Sequence, residues 1–243
     1  MIGFVSTSFI LHVFFFYTAR PKNKSQFCQG AILTEFTASA ILLNMKQQIV
    51  FIHGGETHDT YEQYIEYLKR SEFDPKKEGQ RRWKHSLAEN LGDDYEILMP
   101  QMPSKHNAKY SEWKIWFKKV TPFIKENAIF IGHSLGGIFL AKYLSENKFS
   151  QTIKATFLVA APFDAEGTNY SPADFILPKS LEKFQKQGGT IYLYYSKDDV
   201  VVPLKNREKY KNALSTARSV IFEDKGHFNQ EEFGEIVDEI KKI

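Results

Sequence analysis

A chain of 243 residues suits one α/β domain with a short appendage, and its 42% hydrophobic and 25% charged content are those of an ordinary soluble protein. The formal charge is only +3, and the lysines are spread along helical segments rather than clustered among aromatics, which argues against nucleic acid as a partner. The single cysteine, Cys28, excludes an internal disulfide and a thiolate zinc site, and the seven histidines lack H-x-x-x-H spacing, so no metal or other cofactor is expected.

Residues 2–19 carry no charge apart from His12, are rich in phenylalanine, and are followed by Arg20-Pro21-Lys22-Asn23-Lys24. Three readings are open for this stretch. A membrane-spanning helix is one, since about 18 apolar residues is the lower limit for crossing, and the basic cluster would then hold the rest on the cytoplasmic side. A signal peptide is the second, although it lacks a basic region before the apolar run. The third takes residues 1–44 as an upstream extension, with a catalytic domain over 45–243 that begins at Met45 and is complete without them. The third is the expectation carried forward, with a cytoplasmic location; anchoring through residues 2–19 is the alternative. The oligomeric state is left undetermined.

From Met45 onward, short apolar runs alternate with amphipathic segments. Ile49-Val50-Phe51-Ile52 reads as a strand, followed by the loop His53-Gly54-Gly55. A helix should start near Thr60 with Gln63 completing a capping box, and Tyr61, Tyr64, Ile65 and Leu68 form its apolar face. A second helix is expected from Arg81 to Leu91, ending at Gly92. The strand Glu96–Met99 follows, and then a helix carrying Trp113, Trp116, Phe117 and Val120 at helical spacing, whose tryptophans read as core.

Ile129-Phe130-Ile131 is the next strand, and it breaks into Gly132-His133-Ser134-Leu135-Gly136-Gly137 before an apolar helix from Ile138 to Leu144. After it come a strand at Ala155–Ala160, a helix near Ser180–Gln187 closed by Gly188-Gly189, and a strand at Ile191–Tyr195. A helix over Leu204–Ala213 and a strand at Val220–Phe222 follow. The last helix should take Asn229 as N-cap and Glu232 at N3, with Phe233, Ile236, Val237 and Ile240 on one face. Strands alternating with helices predict a doubly wound, mostly parallel sheet with helices on both faces and sites at the carboxyl ends of its strands.

The chemistry gathers at those ends. G-x-S-x-G between a strand and a helix is the nucleophile-elbow pattern, in which a sharp turn lifts the Ser134 hydroxyl towards solvent at the top of the sheet. A serine hydroxyl attacks well only when a base takes its proton, and the base needs an acid to fix its tautomer. His227, in the loop after Phe222, is the candidate base. The acid is open among Asp199, its neighbour Asp198, which in an extended segment would point the opposite way, and Asp164 at the end of the preceding strand. The backbone N–H of Leu135 and one from Gly55 are the candidate oxyanion donors, each worth roughly 3 kcal/mol to a developing negative charge. His133 is expected to pack beneath the elbow and His53 to organise its own loop. His58, His85 and His106 default to the surface.

With His53-Gly54-Gly55, Met99-Pro100-Gln101-Met102-Pro103, Gly132–Gly136, Ser196-Lys197-Asp198-Asp199 ahead of Pro203, and Gly226-His227-Phe228, residues 46–243 resemble an α/β-hydrolase-fold serine hydrolase. They most resemble the small lidless group typified by the RBBP9 and YdeN proteins. In that family the acid is the aspartate four residues before the proline, which corresponds to Asp199. The resemblance implies hydrolysis of carboxylic esters, with amides open, and residues 1–44 have no counterpart in it. The interval between Phe163 and Thr190 must also hold a helix, so any lid is small, and a small ester or thioester suits the site better than a large lipid. A binding protein that keeps the fold without turnover is the rival reading. Reaction with a fluorophosphonate separates the two.

Overall fold

Ile49 and Phe51 pack on one side of the central sheet and Val50 and Ile52 on the other, and all four are fully buried. This strand therefore reads as one apolar run, as strands covered on both faces do. The computed structural model describes residues 46–76, 79–166 and 171–243. The expectations for residues 1–44, Cys28 and the Met45 start lie outside the described residues.

Six strands form the sheet: β1 (Gln47–Ile52), β2 (Tyr95–Leu98), β3 (Ala128–His133), β4 (Ile153–Val159), β5 (Thr190–Ser196) and β6 (Arg218–Phe222). Every pairing is parallel, in the order β2-β1-β3-β4-β5-β6. The winding direction reverses between β1 and β3, and in open α/β sheets the crevice at that switch is where ligands bind. Among the described residues seven α-helices accompany the strands: α1 (Tyr61–Arg70), α2 (Trp83–Leu91), α3 (Tyr110–Val120), α4 (Leu135–Glu146), α5 (Glu182–Gln187), α6 (Lys205–Ala213) and, after the last strand, α7 (Gly234–Lys242). One face of the sheet is covered by α3, α4, α5 and α6 through Trp113, Phe117, Phe139, Phe184 and Tyr210. The other is covered by α2 and α7 through Trp83, Leu87, Ile236 and Ile240. This is the α/β-hydrolase architecture the sequence predicts. Between β4 and α5 the described residues hold only a 3-10 turn, Ala173–Phe175, so the cover is minimal. That connection is tied to the loop after β1, where Thr57 donates its hydroxyl to the Ser171 carbonyl and Ser171 donates to Asp59 at 2.8 Å. Among the described residues no helix is long and apolar enough to cross a membrane.

Three local expectations change. The apolar stripe of α1 is not buried: no residue of that helix is, and Tyr61 and Leu68 are exposed. Thr60 does cap it, accepting from Gln63 N at 3.2 Å, but Gln63 reaches back to the N–H of Asp59 and not of Thr60. In α3 the buried stripe is Tyr110, Trp113 and Phe117, which turns Trp116 outward to 42% exposure. The last helix starts at Gly234, and Asn229 is not its cap. The intervening carbonyls are engaged elsewhere, since Gln230 O accepts from Trp83 N at 2.9 Å and Glu231 O from the Ser86 hydroxyl at 3.2 Å. Phe233 is held instead among Trp83, Tyr194, Phe222 and Phe228.

Candidate active site

Ser134 stands between β3 and α4 with φ 54° and ψ −121°, a conformation that costs a non-glycine residue about 1–3 kcal/mol. The turn is held by Ser134 N donating to Val159 O at 2.8 Å and Gly137 N to Ser134 O at 2.9 Å. Position 136 must be glycine, because a Cβ there would lie 2.1 Å from the Ile52 carbonyl oxygen. This contact brings α4 down onto the end of β1. The hydroxyl is less open than the sequence suggests, for Ser134 is only 8% exposed. The Gly54 backbone passes close beside it, so that a methyl group placed on Gly54 would sit 3.7 Å from Ser134 Oγ.

His227, in the loop after β6, places Nε2 2.9 Å from Ser134 Oγ and Nδ1 2.9 Å from Asp199 Oδ2. Asp199 follows β5 and is buried; its other oxygen accepts from the N–H groups of Val201 and Val202 at 2.8 and 2.9 Å. Two backbone donors on one oxygen fix the carboxylate, leaving the second oxygen aimed at the imidazole. A carboxylate can only accept, so Nδ1 carries the proton and Nε2 faces the serine with a free lone pair. Ser134, His227 and Asp199 thus form one hydrogen-bonded chain at the carboxyl ends of three strands.

The two other acid candidates are occupied elsewhere. Asp198 accepts from the Ser196 hydroxyl at 2.5 Å and from Gly226 N at 2.8 Å, and these bonds, the hydroxyl first, hold its carboxyl below the usual range. The segment after β5 is a turn and not extended, so both aspartates meet the 225–227 loop: Asp198 its backbone, Asp199 its imidazole. Asp164 pairs with Lys209 at 2.5 Å on the surface.

The backbone donors are set by neighbouring loops. Leu135 N is the first amide of α4, one of the four in a helix that have no intrahelical acceptor. The loop after β1 is pinned by Glu56 N donating to Lys105 O and Ala108 N to Glu56 O, each at 2.8 Å. Gly55 lies between that carbonyl and α4, and a Cβ on it would be 2.7 Å from Lys105 O and 3.2 Å from the Leu135 side chain. His53 stabilises the same loop, with Nδ1 2.6 Å from Gly54 O and Nε2 accepting from Met102 N at 2.9 Å.

Sequence reading gave no sign of several supports. Trp83 donates its indole N–H to Phe228 O at 2.9 Å, next to His227, and Ser196 Oγ accepts from Lys225 N at 2.9 Å. His58 is half-buried against Tyr64 and Tyr67, and His85 accepts from Arg82 N at 2.9 Å at the start of α2. His133 is buried under the elbow with Nε2 2.9 Å from the His227 carbonyl. Burial first, and the neighbouring His227 second, push its pKa down to about 3. It is therefore neutral in the folded protein at any ordinary pH, while the unfolded chain protonates it near 6.5. Its contribution to stability is complete above about pH 6.5 and declines as the pH falls towards 3. At about 1.4 kcal/mol per pH unit, about 2 kcal/mol is lost by pH 5. Urea titrations of wild type and of His133→Gln, which has no titrating group there, should show a shallower acid limb in the variant. Equal slopes would refute this assignment.

Comparison with known proteins bears on the family and the fold. A family model described as "Serine hydrolase" matches residues 76–240. The rat serine hydrolase RBBP9 is 28% identical over 151 residues, spanning 61% of this chain and 78% of its own length. The structure of the B. subtilis ydeN gene product superposes with a TM-score of 0.66 at 17% identity, covering 81% of this chain and 98% of that one. A lipase-esterase related protein from Clostridium acetobutylicum superposes at 0.52 with 11% identity over 82% of this chain and 94% of its own. With the family match spanning most of the sequence on a fold shared with these neighbours, the chain belongs to the serine hydrolase family and has the α/β-hydrolase fold.

Proposed function

We propose that the protein cleaves small carboxylic esters, thioesters or amides through an acyl-enzyme, with Ser134 as nucleophile, His227 as general base and acid, and Asp199 as the group that orients His227. The observation that carries this reading is the unbroken chain Ser134 Oγ–His227 Nε2 and His227 Nδ1–Asp199, both links 2.9 Å. Ser134 Oγ attacks the substrate carbonyl carbon as its proton passes to His227 Nε2, and the carbonyl π electrons move to oxygen. The Leu135 and Gly55 amides donate to that oxyanion. Collapse of the intermediate breaks the carbon–heteroatom bond, and His227 returns its proton to the departing alcohol, thiol or amine. Water, deprotonated by His227, then attacks the acyl carbon, Ser134 is released with its proton, and the carboxylic acid departs. The work is housed in residues 45–243.

The minimal cover between β4 and α5 supports small substrates over long lipids, which would need a deep enclosure. The test is covalent labelling. The wild type, incubated with a fluorophosphonate at neutral pH, should gain one adduct on the peptide that contains Ser134. An unlabelled wild type would overturn the hydrolytic reading in favour of a binding protein on the same fold.

A further inference from the structure

Between β4 and α5, residues 171–176 touch the loop after β1 at one end and the core beneath it at the other, and both contacts lead to Gly55. At the first end Ser171 makes two bonds to the loop. Its carbonyl accepts from the hydroxyl of the buried Thr57, and its own hydroxyl donates to Asp59 Oδ1 at 2.8 Å. Thr57 stands two residues after Gly55, the candidate oxyanion donor. At the second end Phe175 is fully buried and meets the Trp113 ring edge-on at 5.2 Å. Trp113 is fixed by its indole N–H on Pro103 O at 2.8 Å, and it closes on Gly55, where a Cβ would lie 3.4 Å from its ring.

The segment is itself firmly anchored. Asp174 accepts the Tyr110 N–H, at the start of α3, with its two carboxylate oxygens at 3.0 and 2.9 Å. Lys142 of α4 donates to Ile176 O at 2.5 Å. Because α4 begins at Leu135, the elements carrying the two candidate oxyanion donors are both tied to residues 171–176. Gly55 has no side chain with which to fix its own peptide, so its orientation is set by its neighbours. Glu56 is held by its backbone bonds to Lys105 and Ala108, and Thr57 by Ser171. A buried hydroxyl left without its acceptor carries the full cost of desolvation, which makes the Thr57 contact a stiff one.

We propose that residues 171–175 brace the oxyanion loop instead of acting as a lid, with Thr57 as a positioning residue that orients the Gly55 amide through Ser171. This rests on Ser134 being the nucleophile and on the Gly55 N–H receiving the oxyanion. A donor moved out of line loses its bond to a charge that develops only in the transition state, so the loss falls on kcat and spares KM.

Thr57→Val keeps the shape of the side chain and removes the hydroxyl. On a neutral p-nitrophenyl ester its kcat should fall about tenfold, with KM within about twofold of the wild type. A trifluoromethyl ketone, which Ser134 converts into a tetrahedral oxyanion, should bind more weakly by the same factor. Thr57→Ser, which retains the hydroxyl, should restore both. Thr156→Val is the matched control, because Thr156 is also buried and donates its hydroxyl to a backbone carbonyl, Gly188 O at 2.7 Å, ahead of β5. It should lose stability in urea and keep its kcat. If Thr57→Val does not fold, Ser171→Ala takes its place; it removes the bond to Asp59 and should lower kcat about threefold at constant KM. Wild-type kcat in the variant measured, a change confined to KM, or a loss that Thr57→Ser does not recover overturns the brace while Ser134 chemistry stands. A wild type that hydrolyses no ester overturns the hydrolase reading itself, and the brace with it.

Discussion

Replacing Ser134 by alanine is expected to lower kcat about 10⁶-fold on any ester the wild type turns over, with no burst of released product. The alcohol oxygen is the only atom lost, and without it His227 can activate nothing but water. The backbone donors and the binding site remain, so a residual rate about 10³–10⁴ above the uncatalysed reaction should persist. Ser134→Gly separates chemistry from conformation. Ser134 is held at φ 54° and ψ −121°, where alanine is as strained as serine and glycine is not. Both variants should therefore be equally inactive, but only glycine should gain stability, by about 1–3 kcal/mol in chemical denaturation. An alanine variant within tenfold of wild type would remove Ser134 from the mechanism. A glycine variant no more stable than alanine would show that the elbow stores no strain.

The features that were legible in the sequence are those with a local physical signature. β1 and β3 are apolar on both faces, so the sheet announced itself as parallel and covered on both sides. The elbow combines three glycines, a strand before and an apolar helix after, a pattern a packed turn demands and little else does. Local signatures end where a residue's partner comes from a distant part of the chain. Asp198 and Asp199 differ only in which of two neighbouring groups they meet, 28 residues away. Spacing alone does not divide them. Asn229 had every local qualification as an N-cap, but Trp83 and Ser86 claim the carbonyls of Gln230 and Glu231, and the helix begins later. The apolar stripe of α1 illustrates the converse, a helical pattern that forms a helix yet buries none of it. His133 was expected to pack beneath the elbow, and it does, but its partner there was not legible. Its bond to the His227 carbonyl joins segments 94 residues apart.

Those long-range contacts also define the second large expected effect. Asp199→Asn should reduce kcat about 10⁴-fold, while Asp198→Asn should change it less than tenfold. In the asparagine variant the side-chain oxygen still accepts from Val201 and Val202 N, since those donors require an acceptor. The amide nitrogen then takes the place of Oδ2 and presents N–H groups to His227 Nδ1. To accept them, the imidazole must carry its proton on Nε2, the atom 2.9 Å from Ser134 Oγ, where it meets the hydroxyl as a donor and cannot take its proton. At Asp198 the same change weakens bonds to the Ser196 hydroxyl and the Gly226 amide, which shape the loop but do not touch the imidazole. The loop is also held by Lys225 N donating to Ser196 Oγ and by His133 on the His227 carbonyl, so loss of one tie is tolerated. The pH profile distinguishes the roles further. Asp199→Asn should recover part of its lost rate in strong alkali, where Ser134 ionises without a base, whereas Asp198→Asn should keep the wild-type profile. If Asp198→Asn is the more damaging substitution, Asp199 is not the group that orients His227, and the acid must be reassigned.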